Sequence, residues 1–268
     1  MKKIYIINGV MGVIGSPVFT HLALQSDTIV YGISRRGLHF SEYLDKDNTL
    51  PENHIVCSLG DFSESNLDTI NTFIKSVPCG YEIIFLHSMG FFLTEMNQFG
   101  DIVIENDFDK DGINDDVKRL VYTVPKLFAE SLAKKNTQVS FIQIGSLSDE
   151  KSLPVHHSWR NSMNLVKEEY QNITKNNSNF SATIINVSSV LTPKEFIDRP
   201  FVTTQTDADT RYWLNPSDIA RYIYDNRNSF SNKYNEVRLF NPWPNFEKNH
   251  FTIESYTKRR RAEIFKID

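Results

Sequence analysis

The chain has 268 residues, of which 40% are hydrophobic and 23% are charged, and this excludes a disordered chain, a collagen and a disulfide-bonded scaffold. The formal net charge of −4, from 29 basic and 33 acidic residues, gives no reason to expect binding to nucleic acid or to a membrane surface. Two cysteines, no recognisable signal peptide and no apolar run near the ~18 residues of a membrane span predict a cytoplasmic protein.

Seven short runs rich in β-branched residues predict buried strands, because most of them are continuously apolar rather than alternating. In chain order they are residues 4–7, 29–33, 54–57, 82–87, 139–144, 182–187 and 236–240. Five intervening segments place apolar residues at helical spacing. These predicted helices are residues 16–26, 63–77, 115–136, 158–174 and 216–226.

This alternation of strands and helices predicts an α/β fold, a doubly wound parallel sheet of about seven strands with helices on both faces, as in a Rossmann fold. We expect one nucleotide-binding domain over residues 1–245, followed by a C-terminal tail at 246–268. Residues 193–215 lack clear periodicity, and we expect this irregular segment to cover the substrate. Structural packing of the same segment is the alternative.

Three glycines, Gly9, Gly12 and Gly15, follow the first strand and precede the first helix. Glycine adopts turn conformations at low cost, and a backbone without side chains lets a pyrophosphate approach the N–H groups of the helix N-terminus. The GxxGxxG spacing therefore predicts dinucleotide binding, with Val13 and Ile14 also in contact with the cofactor. The alternative is a turn with a purely structural role.

The end of the second strand reads Ser34-Arg35-Arg36 and contains no acidic residue. A carboxylate at this position would favour a ribose with a free 2′-hydroxyl, whereas a guanidinium pairs with a 2′-phosphate. The sequence therefore predicts NADP rather than NAD as the cofactor, with these three residues in contact with it. The alternative is that both arginines are merely solvated at a strand end.

From Lys3 to about Phe240 the chain resembles the short-chain dehydrogenase/reductase superfamily, whose landmarks follow one another in the expected order. The glycine turn follows the first strand, and small or polar segments follow the third, fourth and sixth strands. By this resemblance, further cofactor contacts are implied at Ser58, Leu59, His87, Ser88, Met89, Val190 and Thr192.

The chemistry of that family uses a serine and a Tyr-x-x-x-Lys motif. Ser146 ends the fifth strand, as the family's catalytic serine does, and the following helix aligns His157 with the tyrosine and Asn161 with the lysine. The resemblance thus implies a degenerate motif with Ser146, His157 and Asn161 as its catalytic residues. His156 is a second candidate, because a shift of one residue in the alignment would exchange the two histidines. A decayed site is the alternative.

Two other patterns are not assigned to the site. Tyr122 and Lys126 match Tyr-x-x-x-Lys by their letters, but they precede the fifth strand and enclose Pro125, which disturbs a helix. The acidic segment at 107–112 opens like a calcium loop, but Lys118 stands where the closing glutamate should be. We therefore expect no metal.

The function expected from these features is that of an NADP-dependent oxidoreductase acting on a carbonyl or alcohol, a class that includes sugar derivatives. Ser146 would orient the substrate oxygen and His157 would move the proton. The alternatives are a dinucleotide-binding regulator or scaffold without turnover, and a relic of the fold that binds nothing. The resemblance also implies a homodimer or homotetramer that pairs through the helices at about 115–135 and 158–174.

Overall fold

The computed structural model describes residues 3–34, 54–60, 62–63, 67–89, 95–96, 102–103, 113–147, 157–188, 190, 214–231 and 233–241. Within these ranges no helix is long and apolar enough to cross a membrane. The expected domain boundary at 245, the tail at 246–268 and residues 193–213 of the irregular segment lie outside them.

Seven parallel strands form one sheet in the order β3-β2-β1-β4-β5-β6-β7. The strands are β1 Lys3–Asn8, β2 Thr28–Ser34, β3 His54–Ser58, β4 Glu82–His87, β5 Val139–Ser146, β6 Phe180–Val187 and β7 Tyr234–Leu239. A separate two-stranded antiparallel ladder joins Glu95–Met96 to Ile102–Val103. The sheet confirms the predicted doubly wound α/β fold, and each of its strands overlaps a predicted run.

The helices of the described residues lie on both faces of the sheet. They are α1 Gly15–Ala23, α2 Asp68–Ser76, α3 Asp115–Lys118, α4 Val124–Ala133, α5 His157–Asn176 and α6 Pro216–Asp225. A π-helical segment, Arg119–Thr123, joins α3 to α4, so that the single helix predicted at 115–136 is interrupted. Pro125, the second residue of α4, lacks the N–H that a regular helix would need there.

The predicted start of the second helix at residue 63 is wrong, because α2 begins at Asp68. Phe62, one residue before the predicted start, is fully buried and has a positive φ of 57°. Its ring meets the Phe128 ring at a centroid distance of 6.2 Å. Burial of this ring fixes the chain in a left-handed conformation that a regular right-handed helix cannot contain.

Two apolar layers enclose the sheet. One layer lies between the sheet and helices α2, α4 and α5, and the other lies between the sheet and helices α1 and α6. The first layer contains stacked aromatic rings, with Phe85 lying 4.5 Å from Phe141 and 4.7 Å from Phe128 between ring centroids. Tyr170 of α5 meets Phe141 edge-on at 5.2 Å. These contacts fix α4 and α5 against the centre of the sheet.

The direction of the crossovers reverses between β1 and β4, which are hydrogen-bonded neighbours in the middle of the sheet. Open α/β sheets bind their ligands outside the carboxyl ends of the strands at such a point, where successive connections leave in opposite directions. The turns that follow Asn8 and His87 therefore define the place where a site is expected.

We predict that Phe141→Ala lowers the free energy of unfolding by about 3–5 kcal/mol, because Phe141 is fully buried and contacts three other rings. Urea unfolding followed by circular dichroism measures this loss. As a control, Ile55→Ala on the edge strand β3 removes a side chain that is 47% exposed and should cost much less. Equal costs for the two variants would contradict the assigned core.

Candidate functional site

The turn after β1 is tightly folded around its glycines. Gly9 has a φ of +91°, and a Cβ on Gly9 would lie 2.7 Å from the Met89 Cγ and 2.9 Å from the Ser88 Oγ. A Cβ on Gly15 would lie only 2.1 Å from the Gly9 carbonyl oxygen. Both positions therefore require glycine, and the first turn of α1 packs directly against the end of β1.

The same turn leaves backbone N–H groups available at the start of α1. Within the described residues, the Gly12 amide donates to the Gly9 carbonyl at 2.8 Å, and the Ser16 amide donates to the Gly12 carbonyl at 2.9 Å. The backbone hydrogen bonds of these ranges do not engage the amides of Val13, Ile14 and Gly15. Ile14 precedes the helix and supplies no capping side chain. Donors of this kind at a helix N-terminus suit an anion.

Two further segments border the glycine turn. The Ser88 hydroxyl donates to the Asn8 carbonyl at 3.0 Å, and this bond holds the end of β4 against the end of β1. On the other side, Ser34 ends β2 in a buried position, and its carbonyl accepts from the Leu59 amide at 3.2 Å. Ser58 is exposed beside Leu59. The predicted cofactor contacts Ser34, Ser58, Leu59, Ser88 and Met89 thus all lie at the carboxyl edge of the sheet.

Three of the predicted cofactor contacts, Arg35, Arg36 and Thr192, lie outside the part of the chain that the structure describes. Val190 lies within it and forms an isolated parallel bridge with Leu214. This bridge places Val190 beside the residues that lead into α6.

His87 occupies an interior position. Its ring is fully buried, with Nε2 2.9 Å from the Leu120 carbonyl oxygen and Nδ1 3.1 Å from the Asn8 Nδ2. Desolvation by burial lowers the pKa of His87 to about 4, although backbone hydrogen bonds oppose this effect. The ring is therefore neutral near pH 7 and donates from Nε2 to Leu120 while it accepts from Asn8. Because both ring nitrogens are engaged inside the protein, a bound cofactor could meet His87 only through its backbone.

The three predicted catalytic residues lie at the end of β5 and the start of α5. Ser146 is half-buried at the last position of β5 and pairs with Val187 of β6. His157 is the first residue of α5, with its side chain outside the described part of the chain, and the half-buried Asn161 follows one turn later. The Met163 sulfur contacts the Gln143 amide nitrogen at 3.6 Å, so the first turn of α5 lies toward the Ser146 end of β5.

A buried contact anchors this first turn. The Ser158 hydroxyl is fully buried and accepts from the Asn114 amide at 2.9 Å. The Asn114 side chain in turn accepts from the Asp116 and Val117 amides and caps α3. The residue that follows His157 is therefore fixed to the N-terminus of α3.

Tyr122 and Lys126 lie apart from this edge. The Lys126 Nζ is 3.3 Å from the Tyr122 hydroxyl and 3.0 Å from the Glu169 Oε2, and this ion pair raises the pKa of Lys126 to about 12. Glu169 follows His157 by twelve residues on α5, which is about 18 Å along a helix. The pair matches the family motif by its letters but occupies the outer surface between α4 and α5.

Sequence reasoning missed several buried polar residues on the sheet face below α4 and α5. Asn8 and Gln143 are fully buried, and both amide atoms of Asn186 are buried without a hydrogen-bond partner in the described ranges. A Cβ on Gly145 would lie 2.2 Å from the Asn186 Oδ1, which explains the glycine before Ser146. A polar residue inside an otherwise apolar strand is the signal that could have identified these residues.

No metal site is formed by the described residues, because no three His, Cys, Asp or Glu side chains cluster there. The acidic segment at 107–112 lies outside those ranges, as does His156.

The buried neutral His87 predicts a specific acid sensitivity. Unfolding returns the imidazole to its ordinary pKa of 6.5, so the unfolded chain binds a proton that the folded chain rejects down to about pH 4. The stability that neutral His87 confers is complete above pH 6.5 and falls as the pH drops from 6.5 toward 4, by up to about 1.4 kcal/mol per pH unit. Urea unfolding at pH 7 and pH 4.5 measures this loss.

His87→Gln is the test variant, because its amide can still donate to Leu120 and accept from Asn8. We expect it to reduce the stability difference between the two pH values. An unchanged difference in His87→Gln would contradict the assignment.

Similarity to known proteins is found at the level of structure. No protein-family model matches the chain, and no curated protein matches it in sequence. It is similar to a short chain dehydrogenase family protein from Francisella tularensis, at 13% identity and a TM-score of 0.66, over 89% of this chain and 97% of that one.

Two further solved structures are similar to the chain. One is a 3-oxoacyl-[acyl-carrier protein] reductase from Brucella melitensis in complex with NAD, at 12% identity and a TM-score of 0.63, over 89% of this chain and 95% of that one. The other is an alcohol dehydrogenase from Thermococcus sibiricus complexed with 5-hydroxy-NADP, at 10% identity and a TM-score of 0.63, over 91% and 99% of the two chains. Together with the seven-stranded parallel sheet, these similarities show that the chain has the fold of the short-chain dehydrogenase/reductase superfamily.

Proposed function

We propose that the chain binds NADP(H) at the glycine turn and uses it to interconvert a carbonyl and an alcohol. The observation that carries this proposal is the start of α1, where the amides of Val13, Ile14 and Gly15 have no backbone partner in the described residues. The turn fits a diphosphate because Gly9 and Gly15 bring this helix end to the carboxyl edge of the sheet. Solved structures of the same fold contain NAD or 5-hydroxy-NADP, which supports a nicotinamide nucleotide.

The preference for NADP(H) rests on the end of β2. This strand contains no carboxylate to accept from a 2′-hydroxyl, and Arg35 and Arg36 follow Ser34 directly in the sequence. Two guanidinium groups favour an added 2′-phosphate. Around the rest of the nucleotide we propose contacts from Gly9, Gly12, Val13, Ile14, Gly15, Ser58, Leu59, the His87 backbone, Ser88, Met89, Val190 and Thr192.

A bound nicotinamide would supply or accept the hydride, and the protein would manage the oxygen and its proton. Ser146 ends β5 in a half-exposed position from which a hydroxyl can orient a substrate oxygen. His157 begins α5, and an imidazole can donate a proton to that oxygen in reduction or remove it in oxidation near neutral pH. Asn161 adds an amide for a hydrogen bond but no charge. We infer a small carbonyl or alcohol substrate, with sugar derivatives included in that class.

A second candidate function is binding of the nucleotide without turnover, in a regulatory or scaffolding role. It is favoured by one observation, which is that His157 and Asn161 stand where the family has tyrosine and lysine. Asn161 supplies no cation at the position of the family's lysine to assist a proton transfer. Both functions require nucleotide binding at the glycine turn. They differ in whether residues at the start of α5 transfer a proton to or from a substrate.

We also propose a homodimer or homotetramer that pairs through the outer surfaces of α4 and α5, as the family resemblance implies. The free cysteines Cys57 and Cys79 favour a reducing compartment, and we place the protein in the cytoplasm.

Gly12→Ala should weaken NADPH binding by about tenfold or more, since a methyl group there would obstruct the approach of the diphosphate. Apart from the Gly9 carbonyl oxygen at 3.0 Å, a Cβ on Gly12 meets open space, so the variant should fold. Isothermal titration calorimetry with NADPH and NADH measures both the loss and the preference between the two nucleotides.

Gly80→Ala is the matched control, because Gly80 also lies in a turn, has nothing within 4 Å of its Cβ and is remote from the glycine turn. It should lose some stability through its φ of +86° and keep its affinity for NADPH. The binding proposal fails if Gly12→Ala binds NADPH as tightly as the unmodified chain.

His157→Ala should abolish NADPH oxidation by a carbonyl substrate found in a broad panel, while NADPH affinity stays unchanged. Loss of absorbance at the nicotinamide band measures turnover, and calorimetry measures binding. Binding by the unmodified chain without turnover on any compound would support the regulatory alternative. Full turnover by His157→Ala would exclude His157 as the proton donor and make His156→Ala the next variant.

A further inference from the structure

Three fully buried polar side chains form a row across the centre of the sheet. Asn8 of β1 pairs in register with His87 of β4, and His87 pairs with Gln143 of β5. All three have no exposed surface and lie on the face covered by α4 and α5. The next buried residues along these strands on that face are apolar: Ile6, Phe85 and Phe141. Burial of polar groups in such a layer is costly unless each finds a partner.

Two residues of the row, His87 and Gln143, bond to the π segment, and the Asn8 Nδ2 bonds to the His87 Nδ1 at 3.1 Å, whereas the Asn8 Oδ1 has no partner in the described residues. The His87 Nε2 donates to the Leu120 carbonyl at 2.9 Å, and the Gln143 Nε2 donates to the Val121 carbonyl at 2.9 Å. The Gln143 Oε1 accepts from the Tyr170 hydroxyl at 2.5 Å, and burial raises the pKa of Tyr170, so this phenol remains a donor. Two strands of the sheet thus bond to two successive carbonyls of one helix turn.

Pro125 explains why these two carbonyls are available. It lies four residues after Val121 and five after Leu120, and it has no N–H. Val121 therefore lacks its α-helical partner, and Leu120 lacks the partner that a π-helical bond would use. Because unpaired buried carbonyls are destabilising, donors from the sheet stabilise the π segment. His87 and Gln143 are those donors.

The π segment also determines how α3 is placed. An extra residue in one helical turn rotates the preceding residues by roughly 100° relative to a regular helix. α3 precedes the π segment directly, and the Asn114 amide at its N-terminus donates to the buried Ser158 hydroxyl of α5. A continuous set of contacts therefore leads from the polar row to the residue next to His157.

We propose that Asn8, His87 and Gln143 are positioning residues for the candidate reaction site and act through the π segment on the first turn of α5. Their side chains are buried away from the cofactor-binding edge, and we infer that they fix the helix against which His157 and Asn161 are placed. The catalytic importance of this positioning rests on the proposed function, whereas the positioning itself depends only on the contacts between the sheet, α3 and α5.

Pro125→Ala is the most informative variant. It restores the missing N–H, so that Val121 can form its helical bond and the π segment can relax to a regular helix. Alanine is a good helix former, and the variant should fold. We expect shifts in the imidazole resonances of His157, assigned by comparison with His157→Gln, and in the backbone amide resonance of Ser158, measured by proton–nitrogen NMR.

Tyr170→Phe is the matched control, because it removes a hydrogen bond from Gln143 at the same depth but leaves both contacts to the π segment. It should leave the His157 and Ser158 resonances near their wild-type positions. His87→Leu should shift them, and His87→Gln, which keeps a donor for Leu120, should restore them.

The proposal is overturned if folded Pro125→Ala leaves the His157 and Ser158 resonances unchanged, or if Tyr170→Phe shifts them equally. Calorimetric titration of the same samples with NADPH separates the two claims. Absence of NADPH binding in the unmodified chain would contradict the proposed function, while the positioning proposal would still be decided by the resonances alone.

Discussion

The close approach of the Gly9 carbonyl to Gly15 is the constraint on which the candidate site depends. Any side chain on Gly15 would collide with that oxygen, so glycine allows α1 to begin directly at the end of β1. The reversal of strand order between β1 and β4 places this helix start at the edge where α/β sheets bind ligands. The Ser88 hydroxyl, bonded to the Asn8 carbonyl, closes the turn from the side of β4. Local backbone geometry and sheet topology thus place one set of backbone amides without backbone partners, those of Val13, Ile14 and Gly15, at this edge.

A second constraint lies inside the protein, on the sheet face covered by α4 and α5. There the polar side chains of Asn8, His87 and Gln143 are buried. Burial keeps His87 neutral, which gives it one donor and one acceptor, and the structure uses both, on Leu120 and Asn8. A hydrogen bond in this apolar layer is stronger than one in water, and a missing partner is correspondingly more destabilising. The glycine turn offers donors to a ligand, whereas the polar row holds the helices that frame the start of α5.

The sequence allowed the strands, the doubly wound sheet and the glycine turn to be predicted, because each depends on neighbouring residues. Continuous apolar runs indicate strands buried on both faces, and three glycines between a strand and a helix indicate a tight turn. The π segment could not be predicted, because Pro125 alone does not reveal which side chains will satisfy the carbonyls before it. The register that joins Asn8, His87 and Gln143 involves strands far apart in the chain. The late start of α2 likewise depends on the burial of Phe62 against Phe128.

The most direct test of nucleotide binding at the glycine turn is a crystal structure of the chain grown with NADPH. The structure predicts a diphosphate within hydrogen-bond distance of the Val13 and Ile14 amides, with the nicotinamide end directed toward Ser146. A nucleotide bound elsewhere, or side chains packed into the space over Gly12, would contradict this assignment.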